Sequence, residues 1–135
     1  MIGSRFPIER FKNEEGINYS KASFEGRPTL INFWFTSCVP CVAEIPLLNS
    51  MRTTATNRFN FIAITFENKK NVDAFLKNVD FQFTHLTDAK MQLDSLKIFA
   101  FPTSVILDKN GVVVDVYGEI SKSSKQVSDL LSQLL

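Results

Sequence analysis

Histidine is almost missing from this chain of 135 residues: His85 stands alone, and cysteine occurs only twice, at Cys38 and Cys41. Three such ligands cannot close a four-ligand structural zinc site. Charge of one sign is missing too. Fifteen Lys+Arg stand against fourteen Asp+Glu, for a net charge of +1. The first 67 residues hold seven basic and six acidic side chains, and the remainder eight of each. No basic face follows, so nucleic acid is not an expected partner. No apolar run approaches the roughly 18 residues of a membrane helix. The opening Met1-Ile2-Gly3-Ser4-Arg5 also lacks the apolar stretch of a secretory signal, so any targeting segment is expected to lie outside this sequence. Repeats, linkers and low-complexity tracts are absent, which reads as one domain over residues 1–135. Hydrophobic residues at 44% and charged residues at 21% argue against disorder. A chain of this length buries about 68% of its unfolded surface, enough to fold without a disulfide staple.

Residues 1–27 are polar, mixed and weakly patterned. We read residues 1–22 as an N-terminal extension carrying at most a short hairpin. After the turn signal Gly26-Arg27-Pro28, the segment Thr29 to Phe35 is β-branched, aromatic and nearly continuously apolar, as in a strand covered on both faces. A helical pattern follows the cysteines through Val42, Ile45, Leu48 and Met51, with Pro46 expected to kink it. Phe59 to Phe66 reads as a second buried strand. Val72, Phe75, Leu76 and Val79 predict an amphipathic helix face, and a shorter helix is expected over Lys90 to Leu96. Thr103 to Leu107 and Val112 to Tyr117 predict antiparallel strands joined by a turn at Asp108-Lys109-Asn110-Gly111. Val127, Leu130, Leu131, Leu134 and Leu135 have helical spacing. The order βα, βα, α, ββ, α specifies an α/β fold, a mixed central β-sheet flanked by helices on both faces.

The two cysteines lie three apart, between a buried strand and the following helix. A helix N-terminus carries unsatisfied N–H groups and a partial positive charge, both favouring an anion. A thiolate there has its pKa lowered to about 3.5–7.5. Cys38, at the helix end, is the candidate attacking and exposed sulfur. Cys41, one turn further in, is the candidate buried partner, close enough to form a disulfide. Pro40 suits the first helical turn, where its missing N–H had no partner. The competing reading is two core cysteines or a static structural disulfide.

Phe33-Trp34-Phe35-Thr36-Ser37-Cys38-Val39-Pro40-Cys41-Val42-Ala43-Glu44-Ile45-Pro46 resembles the active-site segment of the TlpA/ResA-like branch of the thioredoxin superfamily. The resemblance runs from about Phe24-Glu25-Gly26-Arg27-Pro28 to the C-terminus and includes Phe101-Pro102-Thr103, opening a strand about sixty residues after the cysteines. It implies a thioredoxin-like fold, and thiol–disulfide oxidoreductase activity with Cys38 as nucleophile and Cys41 as resolving cysteine. It also implies a cis peptide before Pro102, with the Phe101 backbone pairing an extended substrate strand; Ser37, Val39 and Pro40 complete the expected substrate contacts. A cis X–Pro bond costs only about 0.5–1 kcal/mol, and an exposed strand edge can accept a peptide by added pairing.

Glu44 lies one turn after Cys41. The family's reductants place a glutamate there to exchange a proton with the buried cysteine; a solvated helix charge is the alternative. Asn32 occupies the place of the buried aspartate of thioredoxins proper, as is normal for this branch. Trp34 is expected to pack beneath the motif, giving structural support together with Asn32. Ser37 departs from the family, whose usual tryptophan covers the rim of the site; its loss alters the docking surface. His85 reads as a surface or loop histidine. A copper role for it would need the C-x-x-x-C spacing that this chain lacks. A peroxiredoxin is disfavoured because Phe35 stands three residues before Cys38, where that class carries threonine.

The expected activity is reduction of protein disulfides, with no bound cofactor. Disulfide-containing proteins are the expected substrates, an upstream dithiol protein, such as a membrane thiol reductase, the electron donor, and a monomer the default state. The resemblance implies an extracytoplasmic setting, in the periplasm or tethered to a membrane. A disulfide oxidase or isomerase, and a non-enzymatic redox-sensitive binding module, stay open as alternatives.

Overall fold

The computed structural model describes residues 1–24 and 26–135, so Glu25, within the span of the family resemblance, lies outside the described residues. Five strands form the sheet: β1 (Thr29–Phe33), β2 (Asn60–Ile64), β3 (Thr84–Leu86), β4 (Thr103–Leu107) and β5 (Val113–Tyr117). The helices are α1 (Lys21–Phe24), α2 (Val39–Ala55), α3 (Lys69–Leu76), α4 (Lys90–Ser95) and α5 (Ser124–Gln133). The strand order is β3-β2-β1-β4-β5. β1, β2 and β3 run parallel, while β4 is antiparallel to β1 and β5 to β4.

Strand side chains alternate between two cores. Leu30, Ala63 and Ile106 face a layer holding Ile45 and Leu48 of α2, Val72 of α3, and Val127 and Leu131 of α5. Ile31, Phe33, Ile62, Ile64, Val105 and Leu107 face the opposite layer, with Leu93 of α4. The central strand β1 is buried at all five positions, which is why it reads as a continuous apolar run rather than an alternation. Helix α2 continues through Pro46, which is exposed.

Two expectations need correction. Residues 1–22 are not an appended extension. Phe6, Ile8 and Phe11 are fully buried and complete the second core, with Phe6 stacked on Phe11 at 5.5 Å and 6.1 Å from Phe33. The segment is also held by backbone bonds, Gly3 N–H to Val113 C=O at 2.8 Å and Phe6 N–H to Gly111 C=O at 2.9 Å. A tight turn does form there, with Asn13 N–H donating to Ile17 C=O at 2.7 Å. The second correction concerns His85, which is not a surface residue. It lies in β3, only 5% exposed, and Phe81, Phe83 and His85 alternate into one core. With a strand of only three residues the alternation is too short to stand out in the sequence.

Candidate active site

β1 ends at Phe33 beside β4, in the register Phe33↔Thr103. Beyond that pair the chain from Trp34 to Cys38 and the segment Phe101-Pro102 emerge side by side at the same end of the sheet. The rings of Phe35 and Phe101 meet edge to face at 5.5 Å, and Phe66 lies 5.4 Å from Phe35 and 5.7 Å from Phe101. The Phe101–Pro102 peptide is cis. Phe101 is half-buried and Pro102 buried.

Cys38 is the N-cap of α2, with Val39 and Pro40 filling the first two helical positions. Its backbone is extended, its C=O accepts from Val42 N–H at 3.0 Å, and its Sγ accepts from Cys41 N–H at 3.3 Å. A helix-end N–H that would otherwise lack a partner thus points at the sulfur, the arrangement that stabilises a thiolate there. Cys38 and Cys41 are joined as a disulfide, with their Cα atoms 5.2 Å apart. In this oxidised state Cys38 is 5% exposed and Cys41 2%. Cys38, expected to be the exposed sulfur, is thus buried along with Cys41, because the disulfide folds its sulfur back onto the first turn of α2. It borders a surface cavity of about 240 Å³ with Thr36, Ser37, Val39 and Val42. Ser37 and Val39 are exposed there and Pro40 is half-buried.

Glu44 is buried, not a solvated helix charge. Its Oε2 accepts from the N–H of Ile120 in the loop between β5 and α5, and its Oε1 has no partner among the described residues. Burial pushes the carboxyl above its ordinary value; the Ile120 N–H opposes this and nearby Glu119 reinforces it. Asn32 Nδ2 donates to Ser104 Oγ at 3.1 Å, a buried link between paired residues of β1 and β4. Trp34 is fully buried against Phe75, Phe81 and His85, at 5.3, 5.1 and 5.8 Å between ring centroids. His85 Nε2 lies 2.9 Å from the Phe81 carbonyl, and burial holds the ring's pKa below its ordinary value.

Sequence reasoning missed two polar contributors. Thr36 and Glu67 bond each other just before the cysteines, and their separation of 31 residues leaves no local signal. Among the described residues no group of three or more His, Cys, Asp or Glu is gathered as metal ligands.

A mixed five-stranded sheet, a C-x-x-C disulfide capping the helix after its central strand, and a cis proline alongside define a thioredoxin-fold thiol–disulfide exchange protein. The chain belongs to the Redoxin family, whose model matches residues 1–134. It is 29% identical over 129 residues to the thioredoxin-like protein YneN of Bacillus subtilis, covering 92% of this chain and 76% of that protein. It is also 29% identical over 115 residues to the thiol-disulfide oxidoreductase ResA of Geobacillus thermodenitrificans, covering 83% of this chain and 66% of ResA. The fold superimposes on the thioredoxin domain of a thiol-disulfide oxidoreductase from Bacteroides vulgatus with a TM-score of 0.82 and 21% identity, over 97% of this chain and 98% of that one. Homology thus places the chain among thiol–disulfide oxidoreductases, a class that requires disulfide substrates and a redox partner.

Proposed function

We propose that this protein reduces disulfides of extracytoplasmic proteins, with Cys38 as nucleophile, Cys41 as resolving cysteine and Glu44 as proton acceptor. The observation that carries the reading is Cys38 Sγ capping α2 and receiving the Cys41 N–H. The Cys38 thiolate attacks one sulfur of the substrate disulfide, forming a mixed disulfide and releasing the other sulfur as a thiolate that takes up a proton. The Cys41 thiol gives its proton to Glu44 and attacks Cys38 Sγ, closing the Cys38–Cys41 disulfide and expelling the reduced substrate. Two electrons pass to the substrate, and an upstream dithiol protein restores the pair. Phe101, beside cis Pro102, offers its backbone to an extended substrate chain, with Ser37, Val39 and Pro40 on the facing rim. Asn32 and Trp34 support the site from beneath. The extracytoplasmic setting rests on the TlpA/ResA-like resemblance; no helix among the described residues is long and apolar enough to cross a membrane.

The test is the equilibrium reduction potential of the pair in dithiothreitol and glutathione buffers, with trapping in the Cys41→Ser variant. A potential below about −230 mV and accumulating mixed disulfides support a reductant. A potential near −120 mV reverses the flux, and an absence of trapped species removes the assigned roles. The low exposure of both cysteines favours one second reading, a redox-sensitive binding module. Failure of the reduced chain to react with iodoacetamide at neutral pH would select it.

A further inference from the structure

The loop that presents Cys38 is held from the side by one carboxylate. Thr36 N–H donates to Glu67 Oε2 at 3.1 Å, and the Thr36 hydroxyl donates to Glu67 Oε1 at 2.9 Å. Both oxygens of the carboxylate are therefore engaged by a single residue, two positions before the cysteine. Glu67 is fixed in turn through its own backbone. Its N–H donates to the hydroxyl of Thr65 at 3.3 Å, and its C=O accepts from Asp88 N–H at 2.7 Å. Thr65, buried, follows β2, and Asp88 follows β3, so the contact ties the cysteine loop to two strands of the sheet. Thr36 is flanked by Phe35, whose C=O accepts from Cys38 N–H at 3.2 Å. Where Thr36 is held thus decides where Cys38 meets the free N–H groups of α2.

We propose that Glu67 is a positioning residue for thiol–disulfide exchange: by gripping both polar groups of Thr36, its carboxylate fixes the loop that sets Cys38 at the helix N-terminus. The proposal rests on Cys38 being the attacking thiolate. Glu67 acts on that thiolate in two opposing ways. As a clamp it keeps the sulfur at the helix-end N–H groups and favours the thiolate. As a negative charge it disfavours the thiolate. Hydrogen bonds to an ionised acceptor are strong and directional, whereas the field of a half-buried carboxylate open to solvent is screened by water and salt. The clamp therefore dominates.

The sign of the effect is the test. In the full chain carrying Cys41→Ser, the thiolate of Cys38 is titrated by its absorbance at 240 nm. Its attack on 5,5′-dithiobis(2-nitrobenzoic acid) is timed alongside. Thr36→Val and Glu67→Ala are each expected to raise the Cys38 pKa towards the free-thiol value of about 8.5. Once the pKa has passed the assay pH, each further unit of rise slows attack about threefold, because the tenfold loss of thiolate is partly returned as nucleophilicity. Below the assay pH the thiolate is already formed and a rise speeds attack, so the pKa itself is the deciding readout. The double variant should match Glu67→Ala alone, since Thr36→Val removes only one of the two hydrogen bonds that Glu67→Ala already removes, and Glu67→Gln should lie between it and the parent. A lowered pKa in Glu67→Ala with Thr36→Val unchanged would show a charge effect only and overturn the proposal. So would unchanged pKa values in all variants, whether or not the melting temperatures fall. The titration needs no turnover, so a parent protein that never reduces a disulfide refutes the functional reading while the clamp is still judged by the pKa.

Discussion

Replacing Glu44 with glutamine should make the protein more stable as the pH rises, although it removes a candidate catalytic group. The carboxyl is buried and its pKa lies above the ordinary value of 4.5. Between those two values the folded chain keeps a proton that the unfolded chain has released. The stability contributed by this group is complete below the unfolded pKa and is lost as the pH climbs through the folded one. Across that window the loss runs at up to about 1.4 kcal/mol per pH unit. Glutamine keeps an oxygen acceptor for the Ile120 N–H and has nothing to ionise, so its stability carries no such slope. Glu44→Ala separates the hydrogen bond from the charge. It strands the buried Ile120 N–H, at a cost of about 1–3 kcal/mol relative to Gln that does not vary with pH. The assay is urea unfolding of the disulfide-bonded chain from pH 4 to 8, read as the difference between variant and parent, which cancels His85 and every other shared titration. Parallel curves, or a Glu44→Gln variant that falls behind the parent as the pH rises, would refute the buried, proton-holding carboxyl. With it would go the physical basis for proton transfer from Cys41.

His85 should act in the opposite direction. Its pKa is lowered by burial, so the unfolded chain binds the proton first as the pH falls, and stability present above about 6.5 is lost below it. His85→Phe should abolish that acid-side loss, seen as a difference in unfolding midpoint that is constant above about pH 6.5, where it reflects the lost bond to the Phe81 carbonyl, and shifts in the variant's favour below it; a difference that does not change with pH would place the ring in solvent. Phe6→Ala should cost about 3–5 kcal/mol in chemical denaturation, because the ring is 1% exposed between Phe11 and Phe33. A cost below about 1 kcal/mol would return residues 1–22 to the status of an appended segment.

Legibility in this sequence followed the range of the interaction that each feature depends on. The turn at Asp108-Gly111 is plain because its chemistry is local: Asp108 Oδ1 accepts from Asn110 and Val112 N–H at 2.9 and 3.0 Å, and Gly111 has φ +81°. The C-x-x-C is equally local, since capping and pairing both occur within one helical turn. β3 was illegible because three residues are too few to show a period, and the core-facing series Phe81, Phe83, His85 ends on a titratable residue. Phe6, Ile8 and Phe11 are spaced by two and then three residues and sustain no single period, because the segment follows the core through a short 3-10 turn at Ile8–Arg10. Among the site residues, the positions of Asn32 and Glu44 could be named, but not their partners. Ser104 lies 72 residues from Asn32 and Ile120 lies 76 from Glu44.

The walls of the site, by contrast, share one cause, the place of β1 in the sheet. β1 is the strand at which the order changes direction, parallel to β2 on one side and antiparallel to β4 on the other. At the C-terminal end of β1 the segment leaving β2 therefore stands on one side and the segment entering β4 on the other, and open α/β sheets bind their ligands in a crevice at that end of the strands. The chain from β1 enters it as the cysteine loop, β4 begins beside it at cis Pro102, and the segment after β2 supplies Glu67. A cysteine pair at the end of another strand would lack one of these walls. The chemistry is local to four residues; the crevice that directs it towards a partner is a property of the whole sheet.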